Sequence, residues 1–374
     1  MFYYLLNISN NFGFVYNLLV KFCIYIYNRN MKDLWNHLKD TNKPIVLYGM
    51  GNGADKIISV LDRYDIKISG VFASDGFVRP KTFHGCAVTD YKTAKEKFGD
   101  MIVLVCFGTA LPDVLDNVKR IAGEQELYAP DVPVYGGTLF DIQYVFDNQK
   151  RLEQVYNCLE DDLSKNVFKN VVKYKLTGKI DYLFDCETPV DEVYRNILKF
   201  NDSEIYFDLG AYRGDTVAEF LSKVDKYNKI VAVEPDFKTY NKLCLATQNV
   251  KNIININACV SDKEGKIAFD MNGSRGSNIG QGNNIIKSVT IDALSKDNIP
   301  TYIKMDIEGV EGSAIFGGSN AISRYKPKMQ IAAYHRSEDL ILIPERVLNL
   351  QGDYKVYLRH FPCLPAWDMS YYFV

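Results

Sequence analysis

Residues 204–234 constrain the fold of this chain more than any other segment. They read EIYFDLGAYRGDTVAEFLSKVDKYNKIVAVE. An apolar strand ends at Asp208, a loop carries Gly210 and Gly214, a helical stretch follows, and a second apolar strand ends at Glu234. Strand, glycine turn, helix and strand in this order predict a βαβ unit. They therefore indicate an open sheet that binds ligands at the carboxyl ends of its strands.

The glycine loop of this unit also indicates the kind of ligand. It lacks the G-x-G-x-x-G pattern, and no Lys or Ser/Thr pair follows to hold a phosphate. A helix N-terminus behind such a loop suits an adenosyl group carrying an amino acid better than a pyrophosphate. We therefore predict S-adenosylmethionine as cofactor and methyl transfer as the reaction. The alternative is that Gly210 and Gly214 only permit a tight turn.

Each residue of the loop has a predicted contact with this cofactor. Glu234 would accept hydrogen bonds from both ribose hydroxyls, as a carboxylate can. Gly210 would let the backbone approach the methionine moiety, with Gly214 in the same turn. Asp208 would face the cofactor's ammonium group.

The second half of the chain resembles the FkbM-type methyltransferases, a class I family, over residues 204–374. The resemblance rests on six blocks in the right order: FDLGAYRGDT, IVAVEPDFKTYNKL, VTIDAL, IKMDIEGVEGSAIFGG, AAYHRSEDL and YKVYLRHF. It implies O-methylation of a hydroxyl, with a glycan, a sugar or a related small metabolite as the acceptor.

The charge and the cysteine content of the chain argue against two kinds of partner, nucleic acids and zinc. The net charge of −2 provides no basic field for a nucleic acid, so we expect none as partner. The eight cysteines show no C-x-x-C pairing and no accompanying histidine spacing, so a zinc site is not predicted. Their use as small core residues favours a reducing, cytoplasmic setting. The sequence gives no oligomeric state.

Residues 1–30 form an atypical apolar segment. They are mostly aromatic and aliphatic residues and Asn, with charges only at Lys21 and Arg29. The cleaner run from Phe12 to Tyr27 would span about 24 Å as a helix, short of a hydrocarbon core of about 30 Å. We favour the hypothesis that this segment is translated from a false start over the hypothesis that it is a peripheral membrane anchor. We expect no membrane contact by any other part of the chain.

The remaining chain divides into three predicted parts. Residues 31–140 alternate apolar strands with helices and predict a smaller Rossmann-like α/β domain. Residues 141–200 predict a helical bridge, with 191–200 as its clearest helix. Residues 201–374 predict a class I (Rossmann-like) methyltransferase sheet that ends in an antiparallel strand pair.

Acidic residues follow the predicted strand at 301–306. Asp306 is the predicted catalytic residue that orients the acceptor or the methyl donor, because it ends a central strand. Glu308 and Glu311 could instead be helix N-terminal charges that complement the helix dipole, and we favour this interpretation for Glu311. No defined oxygen cage is dictated here, so we predict no metal.

His335 is the second predicted catalytic residue. It follows an apolar strand at the same edge of the sheet, and imidazole is the usual general base near neutral pH. The alternative is a hydrogen-bonded structural histidine. The polar loop 274–284 is interpreted as a lid, with Ser277 as its predicted cofactor contact.

The N-terminal part carries its own glycine turn. Gly49, Gly51 and Gly53 form a G-x-G-x-G loop, and Asp75 ends the next predicted strand. This pattern would suit a nucleotide-sugar or a nicotinamide dinucleotide, or it is purely structural. Two alternatives to methyl transfer therefore stay open: a nucleotide-sugar or NAD-binding enzyme run by this part, and a non-enzymatic binding protein on a lapsed methyltransferase fold.

Overall fold

The computed structural model describes residues 32–374 except 75, 77, 79–81 and 270–283. The predictions for residues 1–30, Asp75 and Ser277 lie outside the described residues. Among those described, no helix has the length and apolar character that a membrane crossing needs. The seven described cysteines form no disulfide.

The first part of the chain builds a six-stranded sheet in the order β3-β4-β2-β1-β5-β6, parallel apart from β3. Its strands are β1 Ile45–Tyr48, β2 Gly70–Phe72, β3 Thr82–Phe83, β4 Cys86–Thr89, β5 Ile102–Val105 and β6 Glu126–Tyr128. Its helices are α1 Leu34–Lys39, α2 Asn52–Arg63, α3 Tyr91–Phe98 and α4 Pro112–Ala122. β1 and β5 are buried along their whole length, as their continuous apolar sequences predict. The strand predicted to end at Asp75 has only three residues and ends at Phe72.

Helices connect this sheet to the second one. They are α5 Ile142–Asp147, α6 Gln149–Cys158, α7 Asp162–Thr177, α8 Asp181–Phe184, α9 Val190–Glu192 and a π-helix Val193–Leu198. The side chain of Asp161 caps α7 by accepting a hydrogen bond from Ser164 N at 2.7 Å, and Gly178 ends the helix in the left-handed conformation. The α-helix predicted over 191–200 is wrong in type, because most of that stretch winds as a π-helix.

The second sheet has seven strands in the order β15-β16-β14-β13-β7-β8-β9. They are β7 Ile205–Leu209, β8 Lys229–Val233, β9 Ile253–Ile256, β13 Tyr302–Met305, β14 Lys328–Ala332, β15 Val356–His360 and β16 Met369–Phe373. β16 lies antiparallel to both β14 and β15, and the other neighbours pair in parallel. This is the predicted class I methyltransferase sheet with its terminal antiparallel pair.

Helices cover this sheet, and a small sheet extends from it. The helices are α10 Asp215–Leu221, α11 Phe237–Ala246, α12 Ile291–Leu294, α13 Glu311–Gly317, α14 Ser319–Tyr325 and α15 Asp339–Leu350. The small sheet, in the order β10-β12-β11, was not predicted; its strands are β10 Cys259–Val260, β11 Gly265–Phe269 and β12 Asn284–Val289.

One hydrophobic cluster runs through both large sheets and the helices between them. Val46 and Val103 of the first sheet, Val171 of α7, and Phe207 and Ile303 of the second sheet all belong to it. A β-bridge between Thr109 and Leu364 adds a backbone link between the two halves. The division into three parts therefore stays a prediction, because their cores are continuous.

Candidate functional site

The site lies at the carboxyl edge of the second sheet, where β7, β8, β13 and β14 end. Parallel strands with helices on both faces leave their loops open at this edge. Gly210, Glu234, Asp306 and His335 all come within three residues of the end of one of these strands. The topology thus brings the sequence-predicted residues of the second half to one side of the sheet.

The turn after β7 is set by two glycines with positive φ. Gly210 has φ 88° and Gly214 has φ 89°. A Cβ on Gly210 would lie 2.0 Å from the carbonyl oxygen of Asp306, so the end of β13 leaves no room for a side chain there. The requirement for glycine at 210 therefore has a packing cause within the protein, in addition to any contact with a ligand.

Glu234 closes this turn through its side chain. Its Oε2 accepts a hydrogen bond from Tyr212 N at 3.0 Å, and its Oε1 accepts one from Asp236 N at 2.9 Å. The side chain is largely buried, and burial raises the pKa of Glu234 to about 7 although the two backbone amides lower it. Glu234 thus fixes the loop, and its predicted contact with a ribose stays a prediction.

Asp208 is fully buried and faces the protein. Its carboxylate accepts a hydrogen bond from the Thr216 hydroxyl, and its Oδ1 lies 4.0 Å from Lys304 Nζ on the neighbouring strand. Burial raises the pKa of Asp208, against the opposing effect of Lys304. The contacts that the structure gives this carboxylate are therefore internal, and its predicted role beside an ammonium group of the cofactor stays a prediction.

His335 is the centre of a group of carboxylates. Its Nδ1 lies 3.0 Å from Glu311 Oε1, and its Nε2 lies 3.4 Å from Asp306 Oδ1 and 3.6 Å from Glu308 Oε2. The Tyr334 hydroxyl donates to the same Asp306 Oδ1 at 3.0 Å. His335 is fully buried, whereas the Asp306 and Glu308 side chains are 37% and 32% exposed. The cluster therefore has one buried side and one side open to solvent.

The charges around His335 bear on its predicted role as a base. Burial lowers the pKa of His335, but Glu311, Asp306 and Glu308 outweigh this and raise it to about 10. A base must be neutral to accept a proton, and these carboxylates favour the imidazolium form. The sequence-based role of His335 as general base therefore requires something to offset the negative charge around it.

Glu311 lies in the first turn of α13, as the sequence predicts, and it makes a further contact that was not predicted. Its side chain is fully buried and lies against the imidazole of His335. Its Oε1 also accepts from Ile307 N at 3.0 Å, which ties the loop after β13 to α13. The spacing of Glu311 from Asp306 was visible in the sequence, but its inward direction follows from the position of α13 on the sheet.

A segment from the first half of the chain runs across this edge. The amides of Val134 and Tyr135 both donate to the carbonyl oxygen of His335, at 3.0 and 3.1 Å. The Tyr135 ring packs so closely on Gly309 that a Cβ there would approach it to 2.9 Å, and the Arg336 guanidinium lies over the same ring. Residues 134–135 therefore form part of the wall of the site, a contribution that sequence reasoning missed.

The N-terminal glycine loop is shaped by packing at two of its three positions. A Cβ on Gly49 would lie 2.7 Å from the Phe107 ring, and a Cβ on Gly53 would lie 2.3 Å from the carbonyl oxygen of Cys106. Gly51 has φ 121° and nothing within 4 Å of such a Cβ. The proposed nucleotide role of this loop stays a prediction.

The fold is that of a class I methyltransferase. Residues 208–342 match the family model described as "Methyltransferase FkbM domain". The chain therefore contains a domain of the FkbM methyltransferase family. Among proteins with curated sequences, none matches this chain.

Solved structures agree on the fold. The structure of Methyltransferase FkbM from Methylobacillus flagellatus KT is similar, with TM-score 0.72 and 21% identity over 95% of this chain and 98% of that chain. A fibrillarin from Aeropyrum pernix (TM-score 0.31, 13% identity, 50% and 72% of the two chains) and a spermidine synthase from Thermotoga maritima (0.32, 13%, 49% and 58%) are far less similar. Scores this low carry no argument, and the first likeness establishes the fold alone.

Proposed function

We propose that this protein transfers a methyl group from S-adenosylmethionine to a hydroxyl oxygen, with a sugar, a glycan or a related metabolite as acceptor. The observation that carries the proposal is the meeting of two sets of residues at one sheet edge. One is the turn that Glu234 ties to Tyr212, and the other is the cluster of Asp306, Glu308 and His335. The FkbM domain match over 208–342 supports it.

The two sets would serve the two substrates. The turn at 210–214 leads into α10, and Glu234 presents a carboxylate beside that turn, where ribose hydroxyls would be accepted. Asp306 and Glu308 are the partly exposed acids of the cluster, so they would face the acceptor hydroxyl. The sulfonium is already a good leaving group, and positioning of the hydroxyl would supply much of the acceleration.

The chemistry needs one proton acceptor and one leaving group. The acceptor oxygen forms a bond to the methyl carbon as the S–C bond breaks. The electron pair of the S–C bond stays on sulfur, which becomes a neutral thioether. The hydroxyl proton passes to a carboxylate of the cluster or to water. Asp306 and Glu308 are the described groups at the open side of the cluster that are able to receive it.

Calorimetric titration of the full chain with S-adenosylmethionine tests the cofactor. Glu234→Ala should weaken this binding, while Glu96→Ala, at an exposed glutamate, should leave it unchanged. In the same experiment nicotinamide dinucleotides and nucleotide-sugars test the alternative function of the N-terminal loop. Binding of one of these, with no binding of S-adenosylmethionine, would refute the proposal.

Incubation of an extract with the protein and isotopically labelled S-adenosylmethionine tests the reaction. We expect label in a sugar-bearing fraction, with a mass gain of one methyl group. Cofactor binding without any methylated product would favour the non-enzymatic alternative instead. The expectation of a cytoplasmic setting stays a prediction.

A further inference from the structure

The imidazole of His335 is buried among carboxylates without a hydrogen bond to hold it. Within the described part of the chain, neither Nδ1 nor Nε2 has a hydrogen-bond partner, and Glu311 Oε2 has none either. The 3.0 Å approach of Nδ1 to Glu311 is close enough for an ion pair, but the ring N–H is not aligned with the oxygen. Buried polar atoms are nearly always satisfied. Nε2, on the side of the ring away from Glu311, is therefore the buried nitrogen that a ligand from outside the chain would satisfy.

The spacing of the atoms on the Nε2 side suits a metal ion. Nε2 lies 3.4 Å from Asp306 Oδ1 and 3.6 Å from Glu308 Oε2. Ligands at about 2.1 Å from a tetrahedral metal stand about 3.4 Å apart. One ligand atom each from Asp306, Glu311 and His335 also lie within 4.8 Å of one another, a set that holds Glu311 in place of Glu308. On the Nε2 side, one carboxylate oxygen each of Asp306 and Glu308 lies within 3.6 Å of the ring nitrogen.

Glu311 is placed as the residue that would hold the imidazole. It lies on the Nδ1 side of the ring, opposite the side that Asp306 and Glu308 approach. Metal-ligating histidines almost always present their second nitrogen to a carboxylate or a carbonyl, which fixes the ring orientation. Glu311 is fully buried on α13, so its position is set by packing.

The local charge favours a cation as well. Three carboxylates face one imidazole, and Asp339 adds a fourth buried acid that interacts with both Glu311 and His335. Three basic side chains offset part of this negative charge. Lys56 interacts electrostatically with Glu308, and Lys304 interacts with Asp306. Arg336 interacts with Asp339 while it lies over the Tyr135 ring.

We propose that His335 Nε2, Asp306 and Glu308 bind one divalent transition-metal ion, with Glu311 as the positioning residue on Nδ1. A nitrogen with two carboxylate oxygens suits Zn²⁺, Mn²⁺ or Fe²⁺ better than Ca²⁺. Three protein ligands leave a further position open, which is the arrangement of catalytic rather than structural zinc sites. The exposed side of Asp306 and Glu308 gives that position access to solvent.

The open position would take the acceptor hydroxyl, a role that depends on the proposed function. A metal-bound hydroxyl loses its proton more readily, and it is held in place for attack on the methyl carbon. The proton leaves to water or to a carboxylate, the O–C bond forms, and the S–C electron pair stays on sulfur. No oxidant or reductant is needed.

Metal binding by the full chain tests the site without reference to catalysis. Protein stripped with a chelator is titrated with Zn²⁺ by calorimetry and with Co²⁺ by visible absorption. We expect one equivalent of each, and a Co²⁺ spectrum typical of a low-coordinate nitrogen and oxygen site. Absence of any Zn²⁺ or Co²⁺ binding to folded, stripped protein would overturn the proposal.

Variants locate the ion. His335→Asn and Asp306→Asn should abolish the Co²⁺ spectrum, and Glu311→Gln should weaken binding by about 10–100-fold, as loss of an outer-shell partner does. His84→Asn, at an exposed imidazole 2.8 Å from Asp55, is the matched control and should change nothing. If His335→Asn fails to fold, Glu308→Gln at a partly exposed position replaces it. Binding that survives the variants at 306, 308 and 335 would place the metal elsewhere and refute the site.

The two proposals fail separately. Zn²⁺ is titrated without S-adenosylmethionine, and S-adenosylmethionine is titrated in the presence of chelator. Cofactor binding without metal binding removes the metal site alone, and metal binding without cofactor binding removes the proposed function alone.

Discussion

Replacement of Gly210 by alanine tests whether the close contact between the β7 turn and β13 shapes the site. The residue has φ 88°, and an added Cβ would lie 2.0 Å from Asp306 O and 2.9 Å from its carbonyl carbon. Both atoms belong to the backbone, so no side-chain rotation relieves the clash. The change must therefore move the chain at the strand that carries the candidate acceptor site.

The expected cost has two parts. A left-handed conformation costs an L-residue about 1–2 kcal/mol, and overpacking against fixed atoms costs about 1–3 kcal/mol. Gly210→Ala should therefore lower the free energy of unfolding by roughly 2–5 kcal/mol. Alanine also restricts the unfolded chain, which returns about 0.4–1 kcal/mol.

Gly85→Ala provides the matched control. Gly85 has φ 79°, and a Cβ there would meet nothing within 4 Å. It carries the same backbone strain and the same unfolded-state effect as Gly210→Ala but lacks the clash. The difference between the two variants should therefore isolate the steric part, about 1–3 kcal/mol.

Urea denaturation of both variants, followed by far-ultraviolet circular dichroism, measures the two free energies. Equal slopes with urea concentration would show that the same surface unfolds in each. If Gly210→Ala proves no less stable than Gly85→Ala, the contact with Asp306 does not constrain this turn, and the reasoning is wrong.

Three further predictions concern charged groups. Arg359 is fully buried and pairs with Glu192 at 2.8 Å, so Arg359→Met should lower the free energy of unfolding, measured by urea denaturation, by about 3–5 kcal/mol. Arg195→Met, at an exposed ion pair, should lower it by less than about 1 kcal/mol. Equal losses in the two variants would contradict this prediction. Burial lowers the pKa of His360 to about 4, so the unfolded chain takes up a proton before the folded chain does as the pH falls below 6.5. Between pH 7.5 and 5 the wild type should therefore lose about 2 kcal/mol of unfolding free energy relative to His360→Gln. A difference between the two proteins that does not change with pH would refute this. Burial raises the pKa of Glu234 to about 7. If its carboxylate form binds S-adenosylmethionine, the affinity should fall roughly tenfold per pH unit below 7. Calorimetry that finds no such fall would show that the Glu234 carboxylate does not contribute to binding.

The large sheets were predictable because most of their strands are mainly apolar. β7 and β8 are buried at every position but the first, and such runs bounded by glycine or acidic residues stand out in the sequence. The antiparallel end of the sheet followed from the absence of a helix between β15 and β16. The small sheet was missed, since β10 has only two residues and the partly exposed β11 and β12 lack a continuous apolar sequence.

The site was predictable only where a residue lies just beyond a strand. Asp306 directly follows β13 and His335 lies three residues beyond β14, and both belong to the cluster. Glu311 is the helix N-terminal acid that the sequence predicts, but its contact with His335 was missed. Such acids are usually exposed, and nothing local marks the one that turns inward to a residue 24 positions later. Tyr135 was missed for a related reason, since its contact with Gly309 joins distant parts of the chain.

The continuous core of the two sheets has a consequence for how this protein can be divided. The boundary between the halves is filled by α7, whose Phe168 and Val171 pack in the same cluster as residues of both sheets. A fragment made of the FkbM domain alone would present that apolar face to water. Chimeras that keep only the FkbM domain should therefore precipitate. A soluble fragment would have to retain the helices from residue 142 onward.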